Sequence, residues 1–220
     1  MSQRTYGFLF AFFATVFAGS AALLIWYGEK SHRQAAVYGQ LAAAVQRADP
    51  APTQAGEGTP LDDYRALSEE NPDMVGWIRI DGTNIDYPVV QCADEPNYYL
   101  KHDFAGRYTD FGCPFAQANC DVQDPSDNVI LYGHNMKDGS MFSDLVRYQS
   151  RSFWETHRTI HFDTLTRRGE YEVLAVCRLP ADALAFYTFV DAADAKDFAA
   201  YVAACKKRTQ YDTGVNAHYI

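Results

Sequence analysis

The sequence is poor in the residues that build metal sites and nucleic-acid surfaces. Its five cysteines form no CxxC pair and no repeated ligand spacing, so the pattern indicates no zinc site. Basic residues are also scarce, with 19 Lys and Arg against 28 Asp and Glu, for a formal net charge of −9. Nucleic-acid binding proteins need Lys and Arg to contact phosphates, so we exclude that class. We expect no metal and no other cofactor.

The cysteines leave the redox compartment open. Cys113 and Cys120 could form a bridge, although an odd number of cysteines leaves at least one thiol free. Cys177 lies in the apolar stretch "YEVLAVCRL", and Cys205 lies on the face of a predicted helix. The simplest interpretation of these two is that they are small, buried apolar side chains.

Charged residues are missing from one long stretch near the amino terminus. Residues 6–27 are 22 consecutive uncharged, mostly apolar residues with aromatic residues at both ends. As a helix they would span roughly 33 Å, enough for a bilayer core of about 30 Å. The alternative is a cleaved signal peptide, whose apolar core is normally only about 7–15 residues long. We therefore predict a membrane anchor over residues 1–28.

The next part of the chain is predicted to connect this anchor to one domain. Residues 29–48 are rich in Ala and Gln and predict a helical stalk, whereas 50–60 hold three Pro and two Gly and predict a linker. Thr59 is the expected N-cap of the following helix, with Pro60 at its first position. We assign 29–60 to stalk and linker and 61–220 to the domain.

The domain is predicted to be mainly β with helices, an α+β fold. Helical spacing is seen in the stretches 61–71, 139–149, 150–158 and 191–208. Apolar strand patterns are seen in the stretches 75–80, 85–91, 113–117, 128–134, 159–165 and 171–179. Pro88 indicates that its strand is an edge strand or is bulged there. Short strands at regular spacing predict a closed antiparallel barrel.

One predicted strand ends at a histidine, in "NVILYGHNMKDGSMF" (128–142). Gly133 is expected to leave room for backbone or substrate beside His134. A strand-end histidine is most often structural or simply exposed. A serine triad of His134 with Ser140 or Ser143 is conceivable, but no nucleophile-elbow pattern supports it. The remaining histidines of the domain are expected to be ordinary surface or partly buried groups: His102, His157, His161 and His218.

Several stretches together resemble the class B sortases. They are "NPDMVGWIRIDGTNIDYPVVQ", "NYYLKHDF", "NVILYGHNMKDGSMFSDLVRY", "FWETHRTIHFDTL" and "YDTGV", in that order. The resemblance covers essentially all of 61–220 and implies an eight-stranded β-barrel with an added amino-terminal helical portion. It also implies a cysteine transpeptidase of the cell surface of mainly Gram-positive bacteria. Such an enzyme cleaves an NPxTG-like sorting signal in exported proteins and joins them to an amine of the cell-wall precursor.

The resemblance assigns roles to a few residues. His134 matches the family histidine, which supports a thiolate as an imidazolium and donates a proton to the leaving amine. Tyr132, Asn97 and Leu100 lie where the family lines its substrate groove. The anchor would hold the protein in the cell membrane by a single pass, with the catalytic domain on the extracellular side.

The sequence departs from the family at its last strands. The family cysteine lies in a TLxTC strand after "YDTG" and is followed by an arginine that stabilises the oxyanion, but no TLxTC occurs in the 220 residues. Neither Arg178 nor Arg208 stands at the family position. We therefore expect the final strands to be missing and nominate neither nucleophile nor arginine. The alternative is an inactive, membrane-tethered remnant or binding module, although an opened barrel would expose unpaired strand edges.

Overall fold

The computed structural model describes residues 3–45, 61–180 and 188–217. Helix α1 spans Gln3–Ala44, and two compact units divide at residue 40. The apolar part of α1 is exposed. Its length and composition are those of a membrane-crossing helix, and a signal sequence can share both. The predicted linker at 50–60, including Thr59 and Pro60, lies outside the described residues. The domain boundaries at 28 and 60 therefore stay predictions. The helix that follows the linker begins at Asp62 with Leu61 as its N-cap, so the prediction of Thr59 as the N-cap is wrong.

In the second unit, helix α2 (Asp62–Glu70) is fastened to the sheet by a buried polar network. The Tyr64 hydroxyl donates to Asp163 Oδ2 at 2.6 Å. Arg168 binds Asp163 at 3.1 Å and also pairs with Asp63 in the first turn of α2. Burial, with the nearby Asp163 carboxylate, raises the pKa of Tyr64 well above its ordinary value. The phenol therefore acts as a neutral hydrogen-bond donor.

The described strands form one curled, mixed sheet, a half-barrel. Its order is β4-β3-β2-β1-β5-β6, and all neighbours are antiparallel except β2 and β3. The strands are β1 (Met74–Arg79), β2 (Asp86–Val90), β3 (Phe115–Ala116), β4 (Leu131–Tyr132), β5 (Thr159–Thr164) and β6 (Glu170–Glu172). The predicted α+β class is confirmed. The parallel β2/β3 pair differs from the all-antiparallel pattern expected from the strand spacing.

Pro88 lies neither in an edge strand nor at a bulge, so the prediction made from this proline is wrong. Strand β2 lies between β1 and β3, and Pro88 stands opposite Trp77 in the β1 register. The bulge lies elsewhere, between Met74 and Gly76. Proline is tolerated because β2 pairs with β3 only through Val90 and Phe115, so no ladder bond on that side requires an N–H from Pro88.

Three predicted strands are much shorter in the structure than in the sequence pattern. The stretch 113–117 contributes only Phe115–Ala116 and 128–134 only Leu131–Tyr132, while 171–179 contributes only the last two residues of β6. The Val173 N–H donates to the Arg158 carbonyl at 2.9 Å and continues the β5 pairing by one residue. Beyond it the chain bonds to an irregular segment instead: the Val176 N–H donates to Thr209 Oγ1 at 3.0 Å. Apolar runs alone could not show this, because strand pairing depends on the neighbour that tertiary structure supplies.

The helices follow the predicted order with shorter bounds. The stretch 139–149 forms a 3₁₀ helix, Ser143–Gln149, and is followed by α3 (Arg151–Thr156). Helix α4 spans Ala195–Arg208. Its N-cap is Asp194, whose side chain accepts hydrogen bonds from the N–H groups of Lys196 and Asp197.

Candidate functional site

A groove of about 510 Å³ lies beside the end of β4. Three chain segments line it: 96–100, 113–119 and 132–134. All four residues assigned from the sequence are in its lining: Asn97, Leu100, Tyr132 and His134. Residues that lie far apart in the sequence therefore meet in one groove, although their roles stay predictions.

Strands β3 and β4 set the position of Tyr132. Phe115 and Tyr132 are register partners, and their ring centroids are 5.2 Å apart. The Tyr132 hydroxyl donates to Gln117 Oε1 at 2.5 Å, and the Gln117 amide donates to Asn119 Oδ1 at 2.6 Å. The sequence analysis did not assign Gln117 to the groove. Its spacing of two residues from Phe115 could have indicated this, because residues i and i+2 of an extended chain lie on the same face.

His134 is held by the segment that carries the predicted groove residues. Its Nε2 lies 2.8 Å from the Leu100 carbonyl oxygen. A carbonyl only accepts hydrogen bonds, so the proton must be on Nε2. The neutral imidazole is therefore the Nε2–H tautomer, with the lone pair on Nδ1. The geometry presents His134 as a proton donor towards the groove wall.

Gly133 provides space for a side chain of the protein itself. A Cβ at this position would lie 2.5 Å from the Phe142 ring. The expectation that Gly133 leaves room for backbone or substrate is thus wrong, because the Phe142 ring fills that room. Phe142 reaches this place because its N–H donates to the His134 carbonyl at 2.9 Å, which closes the loop 134–142.

A second close contact lies under the imidazole, at Gly112. This residue has a φ of +63°, which favours glycine. A Cβ here would lie 2.6 Å from the Tyr99 carbonyl oxygen and 3.2 Å from His134 Cδ2. Gly112 therefore lets the 99–100 turn and the imidazole approach each other, a role that sequence reasoning also missed.

The serine hydroxyls near His134 are engaged within their own loop. Ser140 Oγ donates to Asp138 Oδ1 at 2.7 Å. Ser143 Oγ lies 2.7 Å from the Met136 carbonyl oxygen and 2.6 Å from that of Ser140. Since Nε2 of His134 contacts the Leu100 carbonyl, the geometry does not support a serine triad.

Three other histidines make structural contacts. His102 stacks on Tyr98 with ring centroids 3.9 Å apart, and His157 stacks on Phe153 at the same separation. His161 lies 3.5 Å from Asp81. Within 3–45, 61–180 and 188–217, no group of three or more His, Cys, Asp or Glu side chains could hold a metal ion. His218 lies outside the described residues.

None of the five cysteines, which all lie in the part of the chain that the structure describes, forms a disulfide, so Cys113 and Cys120 are not bridged. Cys113 lines the groove, but it is only 3% exposed and its Sγ lies 3.8 Å from the Pro88 carbonyl oxygen. Burial raises the pKa of the thiols of Cys120, Cys177 and Cys205. A catalytic cysteine must be exposed to its substrate. Cys113 is too buried for this, and the other four cysteines do not line the groove, so the structure marks none of the five as the nucleophile of this groove.

Known proteins resemble this chain in sequence and in fold. No family model matches the chain. Sortase B of Listeria monocytogenes is 35% identical over 174 residues, which cover 79% of this chain and 69% of that protein. The chain belongs to the class B sortases. Sortase B of Staphylococcus aureus is 29% identical over 153 residues, covering 70% of this sortase and 62% of that one.

Solved structures show the same relationship in three dimensions. A crystal structure of a Bacillus anthracis protein described as similar to sortase B has a TM-score of 0.78 at 29% identity. The matched region covers 85% of this sortase and 86% of that chain. A Staphylococcus aureus sortase B–substrate complex has a TM-score of 0.76 at 25% identity and covers 86% of this sortase and 85% of that chain. Family membership implies cysteine transpeptidase chemistry.

Proposed function

We propose that this sortase binds the NPxTG-like sorting signal of an exported protein in the groove beside β4. The signal is cleaved between Thr and Gly or a similar pair, and the acyl group passes to an amine of the cell-wall precursor. The observation that carries this proposal is the convergence of Asn97, Leu100, Tyr132 and His134 on one groove of about 510 Å³. That volume lies in the usual range for pockets that bury a small ligand.

The groove offers the contacts that an extended peptide needs. The exposed Leu100 side chain and the Tyr132 ring supply apolar surface. The Asn97 carboxamide has two donors and one acceptor for peptide backbone groups. The Tyr132 hydroxyl is already bound to Gln117, so the ring presents a fixed face to the groove and little rotamer entropy is lost on binding.

His134 is proposed as the general acid. Its Nε2–H, now on the Leu100 carbonyl, is the proton that would pass to the leaving amine once a thiol has attacked the scissile carbonyl. The imidazolium would also favour the thiolate form of that thiol. The family cysteine and arginine belong to a TLxTC strand and the strand after it, and no TLxTC occurs in the 220 residues.

The proposed location is the cell membrane, with α1 as a single-pass anchor and the catalytic domain outside. Its partners are then exported proteins bearing a sorting signal and the amine of the peptidoglycan precursor. Support comes from the exposed, apolar stretch of α1, which has the length a bilayer requires.

An alkylating reagent that cannot cross membranes tests the proposed orientation. Added to intact cells, it should label Cys177, which is exposed. Labelling only after lysis would contradict the orientation.

Peptide binding tests the groove directly. The 220-residue chain in detergent micelles should bind a fluorescent NPxTG-like peptide more tightly than a scrambled peptide, measured by anisotropy. Tyr132→Ala should weaken binding about fivefold or more, since a buried tyrosine anchor is commonly worth about 1 kcal/mol or more. Tyr171→Ala, which removes an exposed tyrosine on β6, is the matched control. Equal binding of both peptides, or equal effects of both substitutions, would refute the proposal.

Cleavage is a separate test. Because none of the five thiols is placed as the nucleophile of the groove, we expect the 220-residue chain to bind the peptide without cleaving it. Cleavage that disappears when one of the five cysteines is replaced would show that a nucleophile is present among them. Translation of the coding DNA past codon 220 in all frames provides a further check. A TLxTC followed by an arginine supports the transpeptidase proposal, and unrelated sequence contradicts it.

A further inference from the structure

Cys177, in the chain after β6, lies next to Cys205 on α4. Cys177 Sγ lies 3.6 Å from the carbonyl oxygen of Cys205. Cys177 is exposed and Cys205 is half-buried, so the expectation that both are buried apolar residues is wrong for Cys177. The carbonyl oxygen is only two bonds from the Cα of Cys205. The Cys177 sulfur therefore lies beside the backbone of Cys205, and burial together with the charge of the Cys177 thiolate raises the pKa of the Cys205 thiol.

The backbone on both sides of this thiol pair is held in place. The Val176 N–H donates to Thr209 Oγ1 at 3.0 Å, and the Gln210 N–H donates to the Val176 carbonyl at 2.8 Å. Thr213 Oγ1 donates to the Leu174 carbonyl at 2.6 Å. The segment before Cys177 is thus bonded to the residues that follow α4. Such a frame keeps the two cysteines adjacent, and disulfide formation requires closely spaced Cα atoms.

We propose that Cys177 and Cys205 are a redox-responsive thiol pair that takes a low-molecular-weight disulfide as its oxidant. The thiolate of Cys177, the exposed partner, attacks the oxidant, forms a mixed disulfide and releases one small thiol. The Cys205 thiolate then attacks the Cys177 sulfur, releases the second small thiol and leaves a Cys177–Cys205 disulfide. Two protein thiols lose two protons and two electrons, and the oxidant is reduced to two thiols.

The surroundings of the pair set the conditions for this exchange. Burial raises the pKa of both thiols, while the Arg208 guanidinium opposes that rise. The Tyr201 hydroxyl, hydrogen-bonded to Cys205, also opposes the rise at that residue. Since the thiolate is the attacking species, the reaction is best followed at about pH 9. The proposed disulfide would fasten the chain after β6 to α4, while the groove lies at β4 at the other end of the sheet order.

The remaining cysteines provide internal controls. Cys113 is 3% exposed with its sulfur near the Pro88 carbonyl, and Cys120 is 5% exposed with its sulfur 3.5 Å from the Asn128 carbonyl. Both are too buried to meet a dissolved disulfide in the folded protein. Cys92 is half-buried, so Cys92→Ser is the matched control for the thiol substitutions.

The experiment treats the 220-residue chain in detergent micelles with oxidised glutathione at about pH 9, then alkylates free thiols and maps peptides without reduction. We expect two alkylatable thiols to disappear together, with a cross-linked peptide joining Cys177 to Cys205. Cys177→Ser and Cys205→Ser should abolish this peptide, and Cys92→Ser should retain it. Wild-type protein that carries only glutathione adducts, or a cross-link through Cys92, would overturn the proposal.

Thermal unfolding gives a second readout. A disulfide closing a loop of roughly 30 residues should raise the Tm by on the order of 10 °C. The shift should be reversed by a reducing agent and absent in Cys177→Ser, a substitution at an exposed site that we expect to fold. Peptide binding in the groove should be unchanged by oxidation. An oxidised protein with an unchanged Tm would contradict the proposed constraint, and neither result bears on the proposed sorting function.

Discussion

Replacing Gly133 with alanine tests whether the Phe142 ring holds the end of β4 in place. The new Cβ would lie 2.5 Å from Cγ and Cδ2 of Phe142 and 2.9 Å from Cδ1. Favourable contacts between carbon atoms are about 3.5–4.0 Å long, so the ring must move by roughly 1 Å. Phe142 is 8% exposed, and its backbone is bonded to the His134 carbonyl. The shift is therefore resisted by packing.

Overpacking of this kind typically costs about 1–3 kcal/mol. In a protein of this size each 1 kcal/mol lowers the Tm by about 2–4 °C, so we expect Gly133→Ala to lower the Tm by roughly 2–12 °C. Circular dichroism of the 220-residue chain in detergent micelles measures the change. Gly39→Ala is the matched control, because a Cβ there meets nothing within 4 Å and alanine favours a helix over glycine.

A double-mutant cycle separates this clash from a general loss of stability. Phe142→Leu shortens the ring that Gly133→Ala would strike, so the double variant should be more stable than the sum of the single effects. The expected coupling is about 0.5–3 kcal/mol, as for residues in contact. Additive effects, or a Gly133→Ala protein as stable as wild type, would refute the assignment of this space to Phe142.

Three further predictions follow from other contacts. Gly112→Ala should displace the 99–100 carbonyls and break the bond between Leu100 and His134, seen as a shift of the His134 Nε2 signal by nitrogen NMR; an unchanged signal argues against it. Asp194→Ala should remove the two capping bonds of α4 at a cost of about 0.5–2 kcal/mol in urea unfolding, whereas Asp194→Asn should retain most of the stability; equal losses would contradict a capping role. Burial raises the pKa of Tyr87 from 10.0 to about 12. Its contribution to stability is therefore complete below about pH 10 and is lost as the pH rises to about 12. Over that range wild type should lose up to roughly 1.4 kcal/mol per pH unit more than Tyr87→Phe, measured by urea midpoints; parallel pH profiles would contradict this.

The strand and helix order was predictable because periodic apolar residues report which face of an element is buried. The hairpin of β1 and β2 is one example. Another is α4, where the predicted apolar face is half-buried, at Phe198, Tyr201, Val202 and Cys205. The lengths of β4 and β6 were not predictable. Asn128 and Val176 lie in stretches with the composition of strands, yet their backbone partners come from distant segments: the Asn128 N–H donates to the Val190 carbonyl. The Val176 N–H, for example, bonds Thr209 rather than a neighbouring strand.

The candidate site shows the same division. His134, Tyr132, Asn97 and Leu100 were assigned from the resemblance to the class B sortases, and the structure brings them into one groove. Gln117 and Phe142 were missed because their roles depend on contacts across the fold. Gln117 binds the Tyr132 hydroxyl, and Phe142 occupies the space beside Gly133.

By itself, the sequence determined the apolar amino-terminal segment, the α+β class, the family and the histidine at the strand end. Each of these features follows from the local composition, from the periodicity of apolar residues or from a contiguous motif. Only the tertiary structure decided that the His134 proton points to the Leu100 carbonyl, that Phe142 fills the space beside Gly133, and that Cys177 lies beside Cys205. These features are contacts between distant segments, and their geometry depends on how the whole chain packs rather than on any one stretch of it.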